Sequence, residues 1–297
     1  SQQIKNKDSK ISQAINEVPV IHKISLSGTP IENSLADLWS QMQFINPGIL
    51  GSFSFFKDHF MIPIEKHQDE SKIEELKSLI DPFILRRTKE QVAKDLPELS
   101  EQVWYTEMHP KQEKLYEAEK SAARNLLLGL DGGTVNKINV INTLTKLRQI
   151  ANHPILTNTE QADTSGKFED VTQYLKTLVR ADKKVLVFSS FVSHLALYEQ
   201  WCTDHQIKYV TLTGQTATQD RAQIVNSFQE DASISLFFIS LKAGGVGLNL
   251  TEASYVVLLD PWWNPFIEKQ AIARSHRIGQ HNQVMVTRFI AKNTIEE

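Results

Sequence analysis

SLKAGGVGLNLTEASYVVLLDPWWNPFIEKQAIARSHRIGQ, residues 240–280, combines a glycine-rich turn, an apolar run, an aromatic turn and a segment carrying two arginines. The run 254–259 stops at Asp260-Pro261, so a strand buried on both faces ends where polar and aromatic groups begin. Open α/β sheets place their ligands at such carboxyl ends. After the turn, Glu268, Ala271, Ile272 and Ser275 recur at helical spacing. Arg274 and Arg277 are three apart, which predicts two guanidinium groups on one helix face. Two fixed cations suit a polyphosphate. The plainer alternative is a surface helix whose arginines pair with acids such as Glu268.

Working outward, strands and helices alternate from Lys167 onward. Apolar runs at 185–188, 209–212, 235–240, 254–259 and 284–290 are separated by helical patterns at 193–202 and 218–228, the second with capping-box spacing at Thr216 and Gln219. This predicts a doubly wound parallel sheet with right-handed crossovers. Upstream the texture is helical. Residues 111–156 read as a helical hairpin broken at Asp131-Gly132-Gly133, and 157–166 as a surface linker. Residues 51–94 read as helical and Phe-rich. There the cations Arg86, Arg87 and Lys89 form either a solvated charged helix end or a basic joint between lobes. Asn33 is the expected cap of a packing helix over 34–44. At the start, a helix over 9–18 precedes a short strand, 22–26, that runs into the Ser27-Gly28-Thr29-Pro30 turn. A strand ending so early implies a chain that begins inside a preceding domain.

The 297 residues, 41% hydrophobic, are enough to bury a real core. A net charge of −3 excludes a broadly basic nucleic-acid glove but permits a local basic track. The single cysteine, Cys202, excludes an internal disulfide and a multi-cysteine zinc site, and fits a reducing compartment. No run reaches the roughly 18 apolar residues of a membrane span, so no membrane partner is expected.

Taken together these segments resemble the C-terminal half of a SWI/SNF-type, helicase superfamily two, DNA-dependent ATPase. LSGTPIEN, residues 26–33, resembles motif III, which in that family couples nucleotide state to DNA contacts. The LRQIANHP segment, 147–154, resembles the end of the second helical protrusion. VFSSF at 187–191 resembles motif IV, 240–250 motif V, DPWWNP at 260–265 the family's aromatic turn, and 270–280 motif VI. Motifs V and VI together are specific, whereas GGVG alone is weak. Thr213 stands where the family commonly has aspartate.

The resemblance implies a RecA-like lobe, P-loop NTPase-like but without its own P-loop, preceded by a mostly α-helical region. Its expected organisation is 1–33 as the tail of a first RecA-like lobe, 34–95 and 96–165 as two helical protrusions with linker and entry segments, and 166–297 as the second lobe. It further implies Arg274 and Arg277 as arginine fingers, with Gly247 and Gln270 on the nucleotide face. ATP would come with magnesium, the metal being held by the first lobe, and no metal ligand is expected here. Ser190, Thr213, Ser240, Lys242, Gly244 and Gly245 would meet the backbone of double-stranded DNA with little sequence preference, and DNA-bound proteins are further implied partners. Ser27, Gly28, Thr29, Arg86, Arg87, Trp262 and Trp263 would couple the lobes, the tryptophans by packing or alternatively by stacking on bases. A cytoplasmic, nucleoid-associated or nuclear location follows. Different readings are a non-catalytic DNA-binding or docking module, or the motor subunit of a restriction or repair complex.

Overall fold

A computed structural model describes residues 2–28, 31, 34–128, 137–157, 164–244 and 247–297. The chain divides into two compact units, Ser1–Lys94 and Asp95–Glu297.

Every secondary-structure element among the described residues of the first unit is a helix. Its core forms where helix Leu35–Ile45 presents Leu38 and Met42 to Phe56, Phe60 and Leu76, all buried. Each such side chain contributes about 1.5–3 kcal/mol on leaving water. Ser34, rather than Asn33, caps that helix, its Oγ accepting from the Ala36 N–H at 3.1 Å. Asn33 itself lies outside the described residues. Helix Lys10–Asn16 is shorter than expected, and the strand expected at 22–26 is absent. That segment has no other strand among the described residues of its unit to pair with, and Ile24 and Leu26 stand 80% and 84% exposed. Arg86 and Arg87 are exposed in an irregular stretch ahead of helix Lys89–Val92, so they precede a helix rather than end one.

The second unit holds a six-stranded, all-parallel sheet: β1 Leu99–Thr106, β2 Val185–Ser189, β3 Tyr209–Leu212, β4 Leu236–Ser240, β5 Tyr255–Leu258 and β6 Val284–Ala291. Their order is β1-β6-β5-β2-β4-β3. The period-two alternation of a strand sorts the central side chains onto two faces. Leu186, Phe188, Phe237, Ile239, Val256 and Leu258 join one core, under helices Thr218–Glu230 and Pro265–Ile272. Val185, Val187, Leu236, Phe238, Val257 and Leu259 join the other, under helices Gly166–Arg180 and Val192–Asp204. This is the doubly wound arrangement the alternation predicts. The capping box expected at Thr216 does not form. Thr216 Oγ1 instead accepts from the Thr213 N–H at 3.0 Å, and Ala217 occupies the cap position without a side-chain bond.

Strand β1 is the element that sequence reading lacked. It pairs with β6 over its whole length at the edge of the sheet, where residues 101–105 stay exposed. Helices Pro110–Leu128 and Lys137–Asn152 form the expected hairpin, although its turn at 131–133 falls outside the described residues. Tyr116, Leu147, Ile150 and Ala151 pack it against Ala291 of β6. Buried Gln112 donates from Nε2 to Ile150 O at 2.8 Å and Ala151 O at 3.2 Å.

Candidate functional site

The carboxyl ends of β2 and β5 converge on one charged group. Ser189 pairs in register with Ser240, and β5 runs on through Leu259 to Asp260, which is 1% exposed. A carboxylate so buried needs partners for its lone pairs. Ser189 Oγ donates to Asp260 Oδ1 at 2.5 Å, the Ser190 N–H donates to the same oxygen at 3.1 Å, and Ser190 Oγ donates to Oδ2. The cation comes from the helical hairpin: Arg148 Nη2 donates to Asp260 Oδ2 at 2.9 Å, to Pro261 O at 2.9 Å and to Ser190 Oγ at 3.0 Å. Its guanidinium carbon lies 5.0 Å from the Phe191 ring, 5.1 Å from Trp262 and 5.8 Å from Trp263. No periodicity announces Arg148, since its partner is 112 residues away in sequence.

The aromatic turn is held at a second point. The Trp262 N–H donates to Glu268 Oε1 at 2.8 Å, and Glu268 Oε2 accepts from Arg288 Nε of β6 at 3.0 Å. Trp262 packs on the sheet core, whereas Trp263 is 60% exposed. Asn264 caps the following helix, its Oδ1 accepting from the Phe266 N–H at 3.0 Å, with Pro265 in the first turn.

That helix ends at Ile272, so Arg274 and Arg277 do not share a helical face as their spacing predicts. They sit in an irregular loop, and tertiary hydrogen bonds place them. The Leu250 N–H donates to Arg274 O at 2.9 Å, Ser275 Oγ donates to Ala253 O, and Gln280 Nε2 donates to Thr251 O and Ala253 O at 2.8 and 3.0 Å. His276 Nε2 lies 2.8 Å from Pro97 O, and Arg277 Nη1 donates to Leu248 O at 3.1 Å. The loop is therefore stitched to the glycine-rich segment. Both arginines are half-buried. Burial, and after it the neighbouring Arg277 charge, lowers the Arg274 pKa from its ordinary value. The two cations thus lie within each other's field, where an anion would relieve their repulsion. Gly247 belongs to the same segment with φ of +47°, a left-handed conformation that glycine adopts without steric cost. Gln270 is half-buried on helix Pro265–Ile272.

The expected DNA-facing residues differ in access. Ser240 and Thr213 are buried at the ends of β4 and β3, with Thr213 Oγ1 accepting from the Gln215 N–H at 3.3 Å. The Ser190 hydroxyl is engaged by Asp260 and Arg148. Lys242 is exposed in the short helical turn Leu241–Gly244, and Gly245 lies outside the described residues. In the first unit, Ser27 and Gly28 are exposed, a Cβ on Gly28 would meet nothing within 4 Å, and Thr29 lies outside the described residues.

Residues 1–156 match the family described as SNF2-related domain. The chain belongs to the SNF2-related family. Residues 166–279 further match the helicase conserved C-terminal domain. Among SNF2 relatives, Bacillus subtilis (strain 168) YwqA is 38% identical over 100% of this chain and 33% of its own length. The ISWI chromatin-remodeling complex ATPase ISW1 of Saccharomyces cerevisiae is 31% identical over 99% of this chain and 27% of its own. The chain therefore spans a third or less of these relatives. The solved Sulfolobus solfataricus SWI2/SNF2 ATPase core in complex with dsDNA is 38% identical, with a TM-score of 0.58, over 99% of this chain and 63% of that one. The SNF2 sheet is accordingly RecA-like. No helix among the described residues is long and apolar enough to cross a membrane.

Proposed function

We propose that this chain forms the second RecA-like lobe, with its helical protrusions, of an ATP-driven translocase on double-stranded DNA. Arg274 and Arg277 act as arginine fingers on ATP held with magnesium by a first lobe. The observation that carries the reading is two half-buried arginines, three residues apart, on a loop fixed to the glycine-rich segment at Leu248, Leu250, Thr251 and Ala253. In phosphoryl transfer, charge spreads over the γ-oxygens, and fixed cations placed there lower the barrier without reorganising. Membership of the SNF2-related family and likeness to an ATPase core solved with double-stranded DNA support the same assignment. Guanidinium groups suit phosphate oxygens rather than a metal ion, so the reading gives magnesium no ligand in this chain.

Gly247 and Gln270 line the nucleotide side. On the DNA side, exposed Lys242 together with Gly244 and Gly245 meets backbone phosphates, and buried Ser240 and Thr213 support that edge. Ser190 shapes the same edge through Asp260. Ser27, Gly28, Thr29, Arg86, Arg87, Trp262 and Trp263 couple the lobes, and DNA-bound proteins are further partners. Residues 1–297 contain no G-x-x-x-x-G-K-[ST] loop and by themselves hydrolyse little ATP.

In the full-length protein, Arg274→Ala and Arg277→Ala each lower DNA-stimulated kcat by about 10³–10⁵-fold. Duplex affinity, measured by fluorescence anisotropy, stays near wild type. Unchanged turnover in both variants removes the finger assignment.

A further inference from the structure

Residues 259–261 leave the sheet under the grip of two cations from the hairpin side. Lys167 Nζ donates to Leu259 O at 3.1 Å and to Asn152 Oδ1, the last residue of the hairpin's second helix, at 2.9 Å. Arg148, on that same helix, takes Asp260 and Pro261. Its guanidinium also lies beneath the indoles of Trp262 and Trp263. Trp263 is 60% exposed, so its own burial does little to fix it. The turn continues into helix Pro265–Ile272 through the Trp262 N–H bond to Glu268, and that helix leads to Arg274.

We infer that Arg148 is a positioning residue: it ties the helical hairpin to the aromatic turn, so that displacement of the hairpin moves Trp262, Trp263 and the arginine loop together. A guanidinium suits this work. It is planar, covers aromatic faces and directs several N–H groups at once, whereas a lysine ammonium is a compact point charge without a face to stack. The part concerning turnover rests on the proposed motor function; the part concerning the turn does not.

The test uses the full-length protein labelled with 5-fluorotryptophan, the Trp262 and Trp263 fluorine resonances being assigned with Trp262→Phe and Trp263→Phe. Arg148→Lys is expected to shift or broaden both resonances while those of Trp104 and Trp201, in the same unit, stay in place. DNA-stimulated kcat should fall about 10–100-fold, with KM for ATP within about threefold of wild type. Arg148→Ala alone leaves Asp260 buried without its cation and is expected to unfold the unit. Arg148→Met/Asp260→Asn removes the pair together and should reproduce the fluorine shifts in a folded protein. Unmoved Trp262 and Trp263 resonances in Arg148→Lys overturn the inference, as does movement of all four, which would mean a general packing defect. Moved resonances with unchanged kcat in an otherwise active motor overturn the transmission from hairpin to arginine loop. A wild type without DNA-stimulated hydrolysis refutes the motor reading instead, and the fluorine spectra still decide whether Arg148 places the turn.

Discussion

Lys167→Met removes the cation from a buried pair while leaving the side-chain length nearly unchanged. Lys167 and Glu296 both have fully buried side chains, and Lys167 Nζ donates to Glu296 Oε2 as well as to Asn152 Oδ1 and Leu259 O. Substitution leaves a carboxylate and two further acceptors without that donor. Breaking a buried pair from one side costs about 3–5 kcal/mol. At about 2–4 °C per kcal/mol for a unit of this size, the thermal midpoint should fall by roughly 6–20 °C. The sign of the pH dependence is also fixed. Burial raises the Glu296 pKa even with Lys167 opposing it, so the folded state holds that proton more tightly than the unfolded chain. Stability from this group is present in acid and is lost as pH rises through the folded pKa. Without Lys167 the rise is larger, so the deficit of the variant should narrow as pH falls towards the ordinary carboxylate range. Lys167→Met/Glu296→Leu, which removes both charges, should recover most of the loss. Scanning calorimetry between pH 5 and 8 measures wild type and both variants. A single variant melting within about 2 °C of wild type, or a deficit that widens in acid, refutes the reasoning.

His153 is held neutral: desolvation lowers its pKa to about 4, and its Nδ1 accepts from the Ile155 N–H at 3.2 Å. Between its ordinary pKa and that value the unfolded chain binds the extra proton, so acid should remove roughly 2 kcal/mol that His153→Gln retains, as read by urea midpoints at pH 4.5 and 7. A Cβ on Gly166 would lie 1.8 Å from the Glu107 carbonyl oxygen, a clash with backbone, so Gly166→Ala should lower stability by about 1–3 kcal/mol or more in urea titration. Burial pushes the Cys202 thiol up to about 12, and a thiol-specific reagent at pH 8 should label it only after denaturant is added.

The central strands were legible because a parallel strand covered on both faces must be apolar along its length, as VLVF, LFFI and YVVL are. Motif spacing was legible too, since turns and strand ends are local. Strand β1 was not: LSEQVWYT, at an exposed edge, has only the short apolar stretch 103–105, and only pairing with β6, some 185 positions away, makes it a strand. The segment at 22–26 failed in the opposite sense: it alternates Ile24 and Leu26 with polar residues as a strand would, but finds no ladder among the described residues of its unit.

At the candidate site, sequence supplied Arg274, Arg277 and the aromatic turn, and tertiary structure supplied their arrangement and the Arg148–Asp260 pair. Spacing put Arg274 and Arg277 on a helix face, but the helix stops at Ile272, and the loop that carries both arginines is held by side-chain and backbone bonds to 248–253. Hydrogen bonds of that kind have no period to read. The same holds for Arg148 and Asp260. Each is an ordinary charged residue in its own segment, and burial makes them a pair, because a carboxylate taken out of water must find a cation wherever the fold can bring one. The sequence by itself determined a doubly wound lobe ending in an aromatic turn and a pair of arginines. The tertiary structure alone decided that the helical hairpin would hold that turn.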